Sequence, residues 1–288
     1  MKTAWVFPGQ GSQTVGMADK LLLPATKMRF EQAERILGWS VPDLCRQEDR
    51  LFRTLYTQPC LYTVSAILAE QMAEQPDFVA GHSLGEYVAL FAAGVFSFET
   101  GLQLVKQRAS LMDRVSTGGM IALMGVDRAQ LETQLQQTSN VVLANDNHPG
   151  QVVLSGLADA VQTVLAQVKF RRAVPLKVSG AFHSPVVAEA AAAFRQILES
   201  VPFKAAQIPV ISNVDPTPAI DADILKARLM QQMTGSVRWR ETSLRLAIEG
   251  VERVVEIGPG TVLTGLIERT CDNLILENIS SPSYPLTV

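Results

Sequence analysis

Cysteine is scarce: Cys45, Cys60 and Cys271 are the only three in 288 residues. They lie far apart, in no CxxC or metal-ligand spacing. That leaves out a disulfide framework and a thiolate metal site, and reads as buried or incidental thiols in a reducing compartment. No apolar window approaches the ~20 residues that span a bilayer. The N-terminus, MKTAWVFPGQGSQ, has a lysine but no long apolar run before its first glycine. Neither a transmembrane segment nor a signal peptide is therefore expected, and no membrane partner. An excess of charge is missing too. Lys and Arg total 25 against 28 for Asp and Glu, a formal net charge of −3, so a nucleic-acid partner is not suggested. There is no internal repeat, charge run or low-complexity segment. What remains is 47% apolar and 18% charged, the composition of a globular protein with a sizeable core, expected in the cytoplasm. The length suits one large domain, or a large domain with a smaller one attached.

Local signals give an order of elements. TAWVFPG reads as a short buried strand ended by Pro8 and Gly9, with a glycine-rich loop, GQGSQTVGM, after it. From about Ala25 to Phe98 the pattern is mostly helical, with a strand DFVAG leading into GHSLGEYVAL. ETGLQLVKQRASLMDRV carries apolar residues at 102, 104, 105, 111 and 112, a helical period. Then the character changes. GMIALMGV is a strand, and DRAQLETQLQQ a helix capped by Asp127. NVVLANDN and GQVVLSG are strands joined through NHPG, LADAVQTVLAQV is a helix, and RAVPLKVSG a last strand. This βαββαβ order is the split, ferredoxin-like unit, over residues 120–181. Alternation resumes with helices PVVAEAAAAFRQILES, ADILKARLMQQM and WRETSLRLAIEG and strands IPVISN and RVVEIG. The expected fold class is α/β: a large domain of residues 1–119 and 182–288, interrupted by an inserted domain of residues 120–181.

GHSLG, residues 81–85, has the G-x-S-x-G form of a nucleophile elbow, placed as an elbow must be, after a strand and before a helix. Both glycines are needed because side chains would clash in so tight a turn. The turn presents Ser83 at a helix N-terminus, where the Leu84 amide faces a developing oxyanion. An acid, Glu86, follows three residues later.

A serine nucleophile needs a base, and the chain has three histidines. His82 precedes the serine, so it points away from the serine oxygen and reads as a buried hydrogen-bonding residue. His148 falls in the predicted hairpin loop, where an exposed histidine is the default. His183, in SGAFHSP, sits where the inserted domain returns to the main one, and a domain junction is a favoured place for a cleft. His183 is therefore the candidate base. An acid to orient it is harder to find. Asp215 follows the histidine, whereas the α/β-hydrolase order puts the acid before it; a main-chain carbonyl could orient the ring instead. Arg108 falls within the apolar stripe of its helix, with Leu104, Val105, Leu111 and Met112. It either lies along apolar surface with its head in water or is held for bidentate pairing with a carboxylate.

VFPGQGSQ, GHSLGEYVAL and EIGPGTVLTGL (256–266) occur together in one family. The chain resembles the malonyl-CoA:acyl-carrier-protein transacylases and the acyltransferase domains of polyketide synthases, from Phe7 to about Leu266. The resemblance implies an α/β-hydrolase-like core with an inserted ferredoxin-like (βαββαβ) subdomain. It implies Ser83 as the acylated nucleophile, His183 as its base, and Gln10 as an oxyanion-hole donor together with the Leu84 backbone. Arg108, in VKQRASLM, matches the arginine that pairs with the free carboxylate of malonate. Gln232, in MQQMTGSVRW, matches the residue whose backbone carbonyl orients the histidine, with Gln231 a near rival. Asn145 and Asn147, in ANDNHPGQVV, match the asparagine region bordering the acyl pocket, and His82 is counted with them. Phe182, beside His183 in GAFHS, goes with malonyl rather than methylmalonyl specificity in polyketide acyltransferases, because a phenyl ring fills the space an α-methyl needs. One methyl is worth only about 1–3 kcal/mol, so that preference is leaky.

The implied reaction is ping-pong transfer of a malonyl group from malonyl-CoA, through Ser83, to the phosphopantetheine thiol of an acyl carrier protein, with no metal and no bound cofactor. Carrier proteins are usually acidic, and KFRRAVPLK, residues 169–177, is the densest basic stretch. ALFAAGVFSFETGLQLVKQR resembles the free-standing enzymes that serve polyketide synthases in trans more than the housekeeping enzymes of fatty acid synthesis. The contrasting reading is a hydrolase that clears acyl groups from carrier proteins, for which Arg108 has no use. A monomer is expected.

Overall fold

The computed structural model describes residues 1–282. In chain order it contains β1 (Thr3–Phe7), α1 (Lys27–Leu37), α2 (Val41–Cys45), α3 (Glu48–Leu51), α4 (Thr54–Glu70), β2 (Phe78–Gly81), α5 (Gly85–Ala92) and α6 (Phe98–Asp113). Next come β3 (Gly119–Met124), α7 (Arg128–Gln137), β4 (Val141–His148), β5 (Gln151–Gly156), α8 (Ala158–Gln167) and β6 (Arg172–Pro175). The chain continues with α9 (Ala188–Ser200), β7 (Val210–Ile211), α10 (Ala222–Gln232), α11 (Trp239–Ile248), β8 (Arg253–Ile257), α12 (Val262–Glu268) and β9 (Ile275–Ile279).

Two sheets result among the described residues. The first has the order β7-β2-β1-β8-β9, and every pairing in it is parallel. Its central strands are covered by helices on both faces, which is why TAWVF and FVAG are buried at every position. Helix α4 is buried nearly all round, as expected of a helix that crosses the core rather than lying on it. The second sheet has the order β4-β5-β3-β6 and is antiparallel throughout. It has a core of its own, with Leu123, Leu131, Val152, Leu154 and Val164 at 2% exposure or less. Each such side chain contributes about 1.5–3 kcal/mol by burial, so the second unit does not depend on the first for a hydrophobic centre.

The two units are joined at β4. Val237 donates to the Ala144 carbonyl (2.8 Å) and Asp146 to the Val237 carbonyl (2.9 Å). The Asp146 carboxylate, 4% exposed, accepts from Arg128 in its own unit (2.7 Å) and from Arg240 on α11 (2.8 Å).

Several expected elements change length or appear anew. RAVPLKVSG forms a ladder only over Arg172–Pro175; beyond Pro175 the chain turns off the sheet toward the cleft. IPVISN pairs only at Val210–Ile211. His148 is not an exposed loop residue but ends β4, partly buried. Helix α12 and strand β9 were not anticipated. β9 is short and half-exposed, so its sequence lacks the continuous apolar run of the inner strands. Among the described residues, no helix is long and apolar enough to cross a membrane.

Candidate active site

The elbow forms because its glycines have no alternative. A Cβ on Gly81 would lie 2.0 Å from the Gly85 carbonyl carbon, and one on Gly85 would lie 1.9 Å from the Phe7 carbonyl oxygen. With the turn closed so tightly, Ser83 is held at φ 51°, a left-handed conformation that costs a non-glycine residue about 1–3 kcal/mol. Asn213, just beyond β7, holds it there. Its Oδ1 accepts from the Ser83 N–H (2.7 Å), and its Nδ2 donates to the Gly81 carbonyl (2.5 Å).

His183 reaches the serine from the segment returning from the second sheet, also at positive φ (55°). Ser83 Oγ and His183 Nε2 are 2.8 Å apart. His183 Nδ1 faces two carbonyl oxygens, Gln232 O at 2.9 Å and Gly235 O at 3.1 Å. Carbonyls only accept, so Nδ1 carries the proton and Nε2 presents a lone pair to the hydroxyl. Burial, then the Arg108 charge, lowers the His183 pKa to about 3. The ring is thus neutral and available as a base across the ordinary pH range. Asp215 takes no part: it pairs with Arg228 at 2.5 Å. Gln231 is exposed, which leaves Gln232 as the residue at this position.

Arg108 is 0% exposed, so its guanidinium does not reach out to water along an apolar surface. It projects from α6 into the site, where Nη2 donates to Ser83 Oγ (3.0 Å) and Gln232 Oε1 (3.1 Å) and Nη1 to Gln58 Oε1 (2.7 Å). Its carbon lies 5.4 Å from the centroid of the Tyr87 ring. Desolvation lowers its pKa, opposed by Tyr87 and Glu86, yet arginine stays charged in proteins. No carboxylate pairs with it directly among the described residues, and its Nε has no partner. A buried cation without a directly paired anion is costly to hold.

Ser83, Leu84, Gln10, Arg108, Phe182, His183, His82 and Asn145 border one pocket of about 70 Å3, completed by Gln58, Met112, Met120, Leu176 and Val178. That volume is a fraction of the several hundred cubic ångströms of a drug-sized site, and fits a short acyl group. The Gln10 side chain turns toward the Thr54 hydroxyl (3.1 Å) and not toward the serine. The backbone amides of Gln10 and Leu84 carry no protein acceptor among the described residues. Asn147 does not border the pocket; its Oδ1 holds His82 Nε2 at 3.0 Å, and its Nδ2 donates to Gln151. His82 also packs against Trp239, centroids 5.6 Å apart. Asn145 keeps a buried, unpartnered Oδ1. No group of His, Cys, Asp or Glu among the described residues is arranged to hold a metal ion.

EIGPGTVLTGL does not enter the pocket. Glu256 accepts from the Leu263 and Thr264 amides (3.0 and 2.9 Å) and fastens β8 to α12. Asn213, Gln58 and Glu86 were missed as site residues. A lone Asn after a short strand and a Gln inside a buried helix carry no sequence signal of their own; Glu86 was visible in the motif but had no evident task.

At the far end of the second sheet, His148, Gln151, Arg171 and Arg269 line a cleft of about 710 Å3. Lys169, Arg171, Arg172 and Lys177 are all exposed on this unit.

A family model described as "Acyl transferase domain" matches residues 4–283. A malonyl CoA-acyl carrier protein transacylase of Synechocystis sp. is 57% identical, over 97% of both chains. Its crystal structure covers 98% of both chains with a TM-score of 0.95. The polyketide biosynthesis malonyl CoA-acyl carrier protein transacylase PksC of Bacillus subtilis is 43% identical over 92% of this chain and 96% of its own. A malonyl-transacylase solved in complex with a type II polyketide synthase acyl-carrier protein is 35% identical, covering 98% of this chain and 96% of that one, with a TM-score of 0.91.

Proposed function

This chain belongs to the acyl transferase domain family, and on that premise we propose that it is a malonyl-CoA:acyl-carrier-protein transacylase. One observation carries the malonyl assignment: the fully buried Arg108 guanidinium, without a paired carboxylate, lies 3.0 Å from the Ser83 hydroxyl. An acyl group with a free carboxylate satisfies that charge, and docking it there puts the thioester carbon against the serine.

In the first half-reaction His183 Nε2 takes the hydroxyl proton as Ser83 Oγ attacks the thioester carbon. The Gln10 and Leu84 amides receive the oxyanion. The tetrahedral intermediate collapses, the C–S bond breaks, and CoA leaves with the proton from His183. In the second, the phosphopantetheine thiol of a carrier protein gives its proton to His183 and attacks the malonyl ester. Ser83 leaves, reprotonated. The Gln232 carbonyl steadies the imidazolium in each half, the task an acid has in other triads. Phe182 closes the pocket beside the base and disfavours an α-methyl group.

The second sheet, with its order βαββαβ, is a ferredoxin-like subdomain (120–181) inserted in an α/β-hydrolase-like core (1–119 and 182–288, of which 283–288 lie outside the described residues). Its exposed basic stretch, 169–177, with Arg269 across the cleft, is the surface for an acidic carrier protein. The enzyme acts in the cytoplasm as a monomer without a bound cofactor. Relatives named for polyketide pathways and relatives named without one are both called malonyl CoA-acyl carrier protein transacylases, and of the two settings we favour delivery in trans to a polyketide synthase.

The test is intact mass after incubation with malonyl-CoA alone, with Ser83→Ala as control. A lasting malonyl adduct absent from the control is expected. Free malonate and CoA with no adduct would make water the acceptor, and the protein a hydrolase.

A further inference from the structure

One fully buried carboxylate beside the nucleophile has no part in the transfer as described. Glu86 lies on the first turn of α5, three residues after Ser83, and is 1% exposed. Its Oε2 accepts from Gln232 Nε2 (2.8 Å) and from the Asn213 N–H (3.3 Å). It touches neither Ser83 Oγ nor the pocket.

Gln232 is the residue on which the site converges. Its backbone carbonyl receives His183 Nδ1–H, and its Oε1 receives Arg108 Nη2. Its Nε2 donates to Glu86 Oε2 and to the Ser83 carbonyl. A side-chain amide can turn over and exchange its oxygen and nitrogen. Here it cannot: the turned amide would set Oε1 against two acceptors and its NH2 against the guanidinium. Glu86 supplies one of those two acceptors. The other, the Ser83 carbonyl, belongs to the elbow, which Asn213 Oδ1 also holds through the Ser83 N–H.

We propose that Glu86 is a positioning residue for acyl-group selection: it fixes the Gln232 amide so that Oε1 faces Arg108, and thereby aims the guanidinium at the carboxylate of the incoming acyl group. The base is oriented through the backbone of the same Gln232 and is independent of the amide's direction. Glu86 therefore governs the preference for a carboxylated acyl group over a plain one more than it governs the chemical step. This rests on the malonyl reading above.

The experiment measures Ser83 acylation by malonyl-CoA and by acetyl-CoA, with the melting temperature, for the wild type and three variants. Glu86→Met removes the acceptor and keeps the bulk. Glu86→Gln keeps a carbonyl acceptor. Gln232→Met removes the amide and keeps the backbone carbonyl. For Glu86→Met and Gln232→Met, kcat/KM for malonyl-CoA is expected to fall about ten- to hundredfold, mostly in KM, the cost of unpaired buried groups. Acetyl-CoA acylation should change far less, so the malonyl-to-acetyl ratio collapses; Glu86→Gln should restore it. Equal losses with both donors, no recovery in Glu86→Gln, or an intact ratio in Gln232→Met would each overturn the proposal. The last holds even if Glu86→Met does not fold. A wild type that forms no malonyl adduct would instead overturn the functional reading.

Discussion

The parallel and antiparallel sheets contribute to one pocket in different ways. The parallel sheet presents Ser83 on a turn without slack, at φ 51° between two glycines that admit no side chain. The antiparallel sheet and its exit supply walls, Met120, Asn145, Leu176 and Val178, from a unit with its own core. One part is fixed by backbone contact, the other by side chains that a neighbour can replace. The walls can therefore change apart from the elbow, whereas Arg108 and Gln232 stay with the elbow.

Glycine substitutions break this comparison most sharply. Gly85→Ala drives a Cβ to 1.9 Å from Phe7 O, whereas a Cβ on Gly119, at the start of β3, meets nothing within 4 Å. Gly85→Ala is expected to give no soluble protein, or one with acylation down at least about a thousandfold. Gly119→Ala should match the wild type in expression, melting temperature and acylation rate. Equal tolerance at the two sites would refute the contrast.

The histidines differ next. His183 on the reacting side is lowered to about 3 by burial and Arg108. His148, at the far end of the antiparallel sheet, is lowered by milder burial and by Arg269 and Arg128. Acylation kcat/KM, which reports the free enzyme, is expected to stay level from pH 8 to about pH 5, where an ordinary imidazole of pKa ~6.5 would have cost about thirtyfold. Stability runs the other way. The unfolded chain binds a proton below pH ~6.5 that folded His183 refuses, so the melting temperature falls as pH drops through that range. A kinetic limb between pH 6 and 7 would place His183 in a wetter site.

The smallest expected effect lies at the seam. Asp146→Asn keeps the shape of the β4 junction but removes the charge shared by Arg128 and Arg240. A loss of about 1–2 kcal/mol is expected, a melting temperature lower by a few degrees, with KM for malonyl-CoA raised less than about tenfold. A large fall in kcat would mean that the antiparallel unit also sets the reaction geometry.

Sequence legibility follows the same division. Ser83 was readable because its G-x-S-x-G motif is local; His183 was reached by elimination among three histidines and by its place at the junction, and the helical stripe left two readings of Arg108 that only the family resemblance separated. The α/β alternation and the β3-to-β6 unit were readable because their periods and caps are local too; Asp127 caps α7 as expected, accepting from Gln130 N–H at 3.1 Å. Asn213 and Gln58 were not readable, since their importance comes from contacts 130 and 50 residues away. The half-exposed β9 lacked an inner strand's apolar run, and Pro175 cut short a strand whose composition continued.

The chain leaves the large unit and re-enters it at nearly one point: Ala181 N–H donates to the Thr117 carbonyl at 3.2 Å. A segment whose two ends meet leaves the rest of the chain nearly continuous when it is exchanged, provided that its bonds to Val237 and Arg240 are kept. Grafting residues 118–180 from a relative would carry over the walls Met120, Asn145, Leu176 and Val178 and the basic stretch while leaving Ser83, Arg108 and His183 of the recipient in place.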